Sequence, residues 1–354
     1  PYVEPSDLEG IRAARPNAPR TVNVSAGDAQ LRDRLHGALL GRCAGCLLGK
    51  PVEGWRTNAL WPMLREAGHS MLTDYFWRLG ISAENLARHK VGSRPATALF
   101  PAYDHMPEDD DTNYTLTGMA IVKNKGVDFR PADVADFWVR EIPLLHTCTA
   151  ERVAYRNFAG GIAPPESATV ANPYREWIGA QIRADFLGYA APGDPARAAQ
   201  FAWRDACISH VRNGIYGEMW VAAMLAAAYV CSDVPTIIRA GLAQIPRRSR
   251  LHEAICAVLD WHAGGVEYDQ AVERIHGQWD ETFGHHWCHT ISNAMVVAAG
   301  LLWGGLDYGR SICRAVQPCF DTDCNGATVG SIVGMVLGAE ALPACRTFQP
   351  ELVL

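Results

Sequence analysis

The sequence predicts an all-α fold, a compact bundle of many helices, and three observations carry that expectation. Helical patterns recur along most of the 354 residues. Alternating β-branched runs are nearly absent, and no pair of segments reads as a hairpin. Two glycine stripes, Gly37-Gly41-Gly45-Gly49 and Gly326-Gly330-Gly334-Gly338, repeat every four residues on one face of a helical segment. A glycine inside a helix costs about 0.8–1 kcal/mol against alanine, so eight of them call for a compensating close approach of backbones. The 29–49 and 324–341 helices are therefore expected in one crowded core, as direct neighbours.

Residues 1–28 carry prolines and charges without an apolar stretch; they read as an irregular arm and not as a signal peptide. The remainder, 29–354, reads as a single domain. Helices are expected at 29–49, 82–90, 113–125, 131–140, 149–158, 174–189, 195–209 and 214–231. Further ones are expected at 234–243, 249–263, 268–278, 290–302, 307–317 and 324–341. Asp194-Pro195, Asp233 with Pro235, and Pro131-Ala132-Asp133 supply start signals. Prolines and glycines gather in the loops 91–108, 159–173 and 190–195. No fixed-period repeat stands out.

Composition bounds the function. With 49% hydrophobic and 20% charged residues and a net charge of −6, the chain can bury a large core. It lacks the basic stripe of a nucleic-acid binder; Arg247-Arg248-Ser249-Arg250 reads as a solvated helix start. Eleven cysteines, an odd number set in apolar helical surroundings, read as reduced buried thiols of a cytoplasmic protein. The most apolar run, Met219 to Cys231, is too short to span a bilayer. Oligomeric state is not legible.

Two acidic clusters point to chemistry. Asp321 and Asp323 would diverge by about 200° on a helix, but share one side of an extended or turn segment, where both can grip one hard cation. They are expected where a loop enters a helix. Glu108-Asp109-Asp110-Asp111 precedes another predicted helix. One helix cap uses one or two carboxylates, and crowding four together costs repulsion that a cation relieves. Oxygen donors select Mg²⁺ or Mn²⁺ or Ca²⁺ over Zn²⁺. The run His285-His286-Trp287-Cys288-His289 together with Cys43 and Cys46 suggests zinc only weakly, because no second CxxC stands at ribbon spacing. A polar loop lining a pocket, with His289 toward substrate, is the better reading. Tyr155, Arg156, Asn157, Asn172, Arg175 and Trp177 set aromatic rings beside guanidinium and amide groups, a mix that can stack a base and fork onto phosphate. Core packing and capping explain the same residues equally well. Arg183 and Asp185 lie in a pattern that reads as buried, so an internal ion pair is as good a reading as a substrate contact.

Taken together, these segments resemble the ADP-ribosylglycohydrolase family. Gly37-Ala-Leu-Leu-Gly41 through Gly49-Lys-Pro-Val-Glu53 is similar to its opening segment, Asp109-Asp-Asp-Thr112 to its Thr-Asp-Asp-Thr motif, and Asp321-Thr-Asp-Cys324 to its closing Asp-Thr-Asp-Thr. Gly179-Ala-Gln-Ile-Arg183 and Ser209-His210 match two weaker motifs, all in family order over about residues 31–342. The resemblance implies an orthogonal all-α fold and one or two Mg²⁺ ions, with Mn²⁺ as the alternative, between the two acidic motifs. It also implies cleavage of an N- or O-glycosidic bond at the anomeric carbon of an ADP-ribosyl or related ribosyl group. By position, Asp109, Asp110, Asp111, Asp321, Asp323 and Cys324 fall on metal ligands, and Glu53, Asp110 and Asp323 on catalytic roles. Gly179 and Gln181 fall on a substrate-facing loop. A pair of cations roughly 3.5–4 Å apart would orient ribose hydroxyls and activate water. The chain departs from the family at Asp109 and Cys324, where threonine is usual, and at Cys46, where an aspartate is usual. A soft sulfur does not suit Mg²⁺. The implied substrate is an ADP-ribosylated protein or a small ribosyl glycoside. The alternatives are a hydrolase of small N-glycosides or nucleosides, and an inactive ADP-ribose-binding or structural homologue.

Overall fold

The computed structural model describes residues 1–17, 27–89 and 106–342. In chain order the first helices are α1 (Leu8–Ala14), α2 (Asp28–Gly49), α3 (Thr57–Glu66), α4 (Ala83–His89), α5 (Asp110–Lys125) and α6 (Pro131–Glu141). Next come α7 (Thr149–Ala159), α8 (Asp185–Tyr189), α9 (Pro195–Ala206), α10 (Asn213–Ala228), α11 (Val234–Leu242) and α12 (Arg250–Ala263). The last are α13 (Tyr268–Gln278), α14 (Gly284–Trp287), α15 (Thr290–Gly304), α16 (Tyr308–Val316) and α17 (Thr322–Leu337). Among the described residues there is no strand, only an isolated bridge between Trp177 and His289. The fold is all-α, as the sequence predicts. No helix among the described residues is long and apolar enough to cross a membrane.

The helices fall into two units. The first draws on residues 1–17, 109–257 and 289–291, and its core is built on α10. Every residue from Asn213 to Ala228 is buried, including Tyr216, Trp220 and Glu218. Small residues let neighbours close on it: a Cβ at Gly188 would meet Leu225 and Ala222, and one at Gly241 would meet Trp220. The expected caps are present. Asp194 accepts from Arg197 N ahead of α9, Asp233 from Thr236 N ahead of α11, and Asp133 from Arg130 N at α6.

Two stretches of this unit differ from expectation. The irregular arm contains α1, capped by Asp7 and seated by the fully buried Ile11. Trp203 Nε1 donates to Ser6 O at 2.9 Å, and Arg250 forks to Glu4 and Glu176 at 2.7 Å each. Those partners lie about 200 or more residues away, so local composition alone could not announce the ordering. The single helix expected at 174–189 is instead a 3₁₀ segment, Ile178–Arg183, followed by the short α8. Gly179 packs directly on the Glu151 carboxylate while Arg183 reaches back to it, and the tighter winding serves both contacts.

The second unit draws on residues 27–89, 106–108, 258–288 and 292–342. Its spine is the antiparallel pair α2 and α17. Cβ atoms at Gly37, Gly41 and Gly45 would fall on the carbonyl oxygens of Gly334, Gly330 and Gly326, in that order, and one at Gly49 on Thr322 O. The two stripes are therefore each other's partners, as the sequence predicts. Tyr308 Oη donates to Gly41 O at 2.8 Å and Thr322 Oγ1 to Gly49 O at 2.9 Å. Helix α3 has no counterpart in the sequence reading because Pro62 sits inside it. Its buried face of Ala59, Leu60, Met63 and Leu64, and the Trp61 Nε1 bond to Gln317 O at 2.9 Å, hold it regardless.

Candidate functional site

The close approach of α2 to α17 sets the geometry of one acidic cluster in the second unit. Because Gly49 lies against Thr322, the chain leaving α2 through the 3₁₀ turn Lys50–Val52 delivers Glu53 to the start of α17. Asp321 is the N-cap of α17 with extended backbone (φ −78°, ψ 92°), and Asp323 stands in its first turn. The extended cap removes the divergence that two helical residues would show, as expected for a loop entering a helix. Glu53, Asp321 and Asp323 each offer an oxygen, and these lie within 4.8 Å of one another. Asp321 and Asp323 are buried and Glu53 is half-buried.

A fully buried asparagine braces the cluster. Asn293 Oδ1 accepts from Asp321 N at 2.9 Å and from Asn325 Nδ2 at 2.8 Å, while Asn293 Nδ2 donates to Trp287 O at 2.9 Å. Cys288, next in the chain, donates its thiol to Asp321 Oδ2 with Sγ 3.8 Å away. Cys324 is buried beside Asp323. The helix N-terminus favours anions there. Three carboxylates converging within ligand distance repel one another unless a cation joins them, and the donor set fits a divalent ion.

The other acidic motif belongs to the first unit. Asp109 caps α5 and accepts from Asp111 N at 3.0 Å, so α5 begins at Asp110, earlier than the 113–125 expectation. Asp111 is fully buried, Asp109 buried and Asp110 half-buried. Thr112 and Thr115 bond back to the carbonyls of Asp109 and Asp111, which fixes the turn. One cap explains Asp109 alone; Asp110 and Asp111 go beyond what capping needs.

Most of the other candidates also lie in the first unit. Arg156 and Arg175 are exposed, and Tyr155, Trp177 and Gly179 are half-buried. Asn157 and Asn172 do not present their amides outward. Asn157 Nδ2 donates to Ser167 O and Val170 O, and Asn172 Nδ2 to Ala168 O and Ser209 O, which makes both loop-shaping residues. Gln181 is fully buried beside Gly217, with no hydrogen-bond partner for its amide. His289 is buried, accepts from Ile291 N and bridges to Trp177. Among the described residues no group of possible metal ligands includes a histidine.

Arg183 is an internal ion-pair hub. Its guanidinium bonds Glu151 at 2.6 Å, Asp205 more closely, and Ser209 Oγ at 3.1 Å, with Glu218 at 3.6 Å. It also stands over the Trp138 ring at 5.1 Å. Burial works against its charge, but the carboxylates of Asp205, Glu218 and Glu151 outweigh that and hold it charged. Burial, with Asp205 adding to it, pushes the Glu218 carboxyl well above the usual range, and burial likewise raises Glu151. His210, bonded through Nδ1 to Ser209 Oγ at 2.8 Å, is held neutral by burial and by Arg183.

Sequence reasoning missed a group on the second unit. Arg56 stacks over Trp287 at 4.9 Å, His286 packs edge-on to Trp279 and Phe283, and Phe283 is 57% exposed. The aromatic density of 279–287 was the available signal. It also missed Asn293, which nothing local distinguishes from any other polar residue of α15.

Comparison with known proteins matches this chain to the ADP-ribosylglycohydrolase family over residues 27–348. Among solved structures, one described as an ADP-ribosylglycohydrolase-related protein complex superposes with a TM-score of 0.55 at 18% identity, covering 91% of this chain and 94% of that one. No curated protein is matched. The family match spans nearly the whole sequence and includes both acidic motifs, and the solved structure shares the all-helical fold; the chain belongs to the ADP-ribosylglycohydrolase family.

Proposed function

We propose that this protein is a divalent-cation-dependent glycohydrolase that cleaves the glycosidic bond at the anomeric carbon of an ADP-ribosyl or related ribosyl group. Family membership supports a glycohydrolase, and the observation that carries the cation is the convergence of Glu53, Asp321 and Asp323 within 4.8 Å. Asp109, Asp110 and Asp111 are proposed as cation ligands from their motif. Mg²⁺ or Mn²⁺ suits these oxygens.

A bound divalent ion would supply Lewis acidity toward ribose hydroxyls and a lowered water pKa. The chain's own groups do the rest. Asp321, braced through its backbone by Asn293, and Asp323 hold fixed carboxylates at the mouth of α17. Glu53, half-buried, is placed to take a proton from attacking water or return one to the leaving group. Asp110 and Asp323 are the other candidates for that proton. Negative carboxylates also stabilise a ribosyl centre that gains positive charge as the bond lengthens. Tyr155, Arg156, Arg175 and Trp177 keep accessible surface for a base and a diphosphate. Gly179, Gln181 and His289 then shape the segment behind them.

The departures at Cys46, Asp109 and Cys324 favour a second substrate reading, a small ribosyl glycoside in place of a modified protein. Side-by-side turnover of ADP-ribosyl-arginine, ADP-ribosyl-serine and free nucleosides separates the two. Activity on nucleosides alone would overturn the ADP-ribosyl assignment, and inactivity on all three would overturn the hydrolase.

A further inference from the structure

The turn that carries Glu53 is tied down by a segment remote in the chain. Glu53 (φ −55°, ψ 132°) and Gly54 (φ +79°) form the middle of a type II turn, closed by Trp55 N donating to Val52 O at 2.9 Å. Gly54 is exposed, and a Cβ built on it would meet nothing within 4 Å. A glycine so placed leaves the turn free to swing unless something else restrains it.

Arg56 supplies the restraint. Its Nη1 donates to Gly54 O at 2.8 Å and to Trp55 O at 3.2 Å, and its guanidinium lies over the Trp287 ring, 4.9 Å from the centroid. Trp287 Nε1 is buried without a hydrogen-bond partner, so packing and the main chain fix that ring. The main chain is fixed by Asn293, whose amide nitrogen holds Trp287 O while its oxygen holds Asp321 N. A second tie lies one residue beyond Arg56. Thr57 N donates to Glu281 Oε1 at 2.8 Å and the Thr57 hydroxyl donates to the same oxygen. Glu281 thereby caps α3, whose own N-cap residue, Arg56, makes no side-chain cap bond. The turn bearing Glu53 and the start of α17 bearing Asp321 thus lean on one intermediary, the 281–287 segment.

We propose that Arg56 is a positioning residue, which locks the Glu53 turn onto Trp287 and so holds the Glu53 carboxylate in register with Asp321 and Asp323. This rests on the cation reading of the cluster. Charge and positioning predict opposite outcomes. A guanidinium in the same loop as a cation ligand repels the ion, so charge alone gives tighter cation binding once Arg56 is made neutral. Positioning gives weaker binding.

The test measures Mn²⁺ affinity of the full chain by calorimetric titration after stripping with a chelator. Arg56→Met should weaken Mn²⁺ binding about 10-fold. In a Glu53→Gln background, itself weaker than wild type, the same change should cause no further loss. Trp287→Leu removes the seat of the guanidinium from the opposite side; it should show the same dependence on Glu53, and it replaces Arg56→Met if that variant does not fold. Unchanged or tighter binding in Arg56→Met overturns the proposal and leaves the cation site standing. Equal losses in both backgrounds overturn it too, because a general loosening of the unit acts with or without the Glu53 carboxylate. So does a Glu53→Gln protein that binds Mn²⁺ as wild type does. Absence of Mn²⁺ binding in wild type overturns the cation reading and the proposal with it.

Discussion

Replacing Gly37 by alanine tests the packing that delivers the acidic cluster. Its new Cβ would stand 2.5 Å from Gly334 O, against the 3.3 Å or so that a carbon–oxygen contact needs. Gly338 C stands equally close, where a carbon–carbon contact needs about 3.5 Å, so the backbones must part locally by about 1 Å. Overpacking of this kind costs about 1–3 kcal/mol, offset by the 0.8–1 kcal/mol that alanine gains over glycine in a helix. The expected net loss is about 1 kcal/mol. Gly277, within α13, is the control: nothing lies within 4 Å of its added Cβ, so alanine there should raise stability by up to about 0.8 kcal/mol. Urea midpoints of the two variants should move in opposite directions. Gly45→Ala, nearer the carboxylates, should also weaken divalent-cation affinity more than Gly37→Ala does. A Gly37→Ala protein stabilised as much as Gly277→Ala would refute the role assigned to the stripe.

Asn293→Ala removes three hydrogen bonds, two of them buried, and strands Asp321 N, so a loss of about 2–3 kcal/mol is expected by denaturant titration, with weaker cation binding. Arg183→Met leaves buried carboxylates without their cation and should cost about 3–5 kcal/mol, whereas Glu218→Gln should cost little. Glu218 binds its proton more tightly folded than unfolded. Its contribution is therefore complete below its ordinary value of 4.5 and is lost as pH rises through the raised folded value. Glu218→Gln should flatten the fall of melting temperature toward alkaline pH; an unchanged slope would count against a protonated Glu218. Adding a divalent ion at about 100 times its dissociation constant should stabilise the protein by about 2.7 kcal/mol, and a chelator should reverse this in a thermal melt.

The fold class and the pairing of the glycine stripes were legible because each follows from spacing within one segment. The extended conformation at Asp321 was legible for the same reason, whereas α5 begins at Asp110, ahead of the start expected at 113. What escaped was decided by distant partners. Helix α1 is held through Trp203 and Arg250, α3 survives its internal proline through Gln317, and 178–183 winds as 3₁₀ around Glu151. In the site, carboxylate motifs stand out against any background, but Asn157 and Asn172 carry the same side chain whether they face substrate or a main-chain carbonyl. Asn293 acquires its importance only through α17, to which nothing in its own segment points.

The most direct test is calorimetric titration of the metal-free protein with Mg²⁺, Mn²⁺ and Zn²⁺, repeated on Asp321→Asn and Asp323→Asn. Turnover of ADP-ribosyl-arginine and of nucleosides would be measured on the same samples. The expected result is saturable binding and cation-dependent hydrolysis in wild type, with both lost in the two variants while their circular dichroism is unchanged. Hydrolysis that persists in chelator, or full binding in Asp323→Asn, would contradict a cation site at Glu53, Asp321 and Asp323.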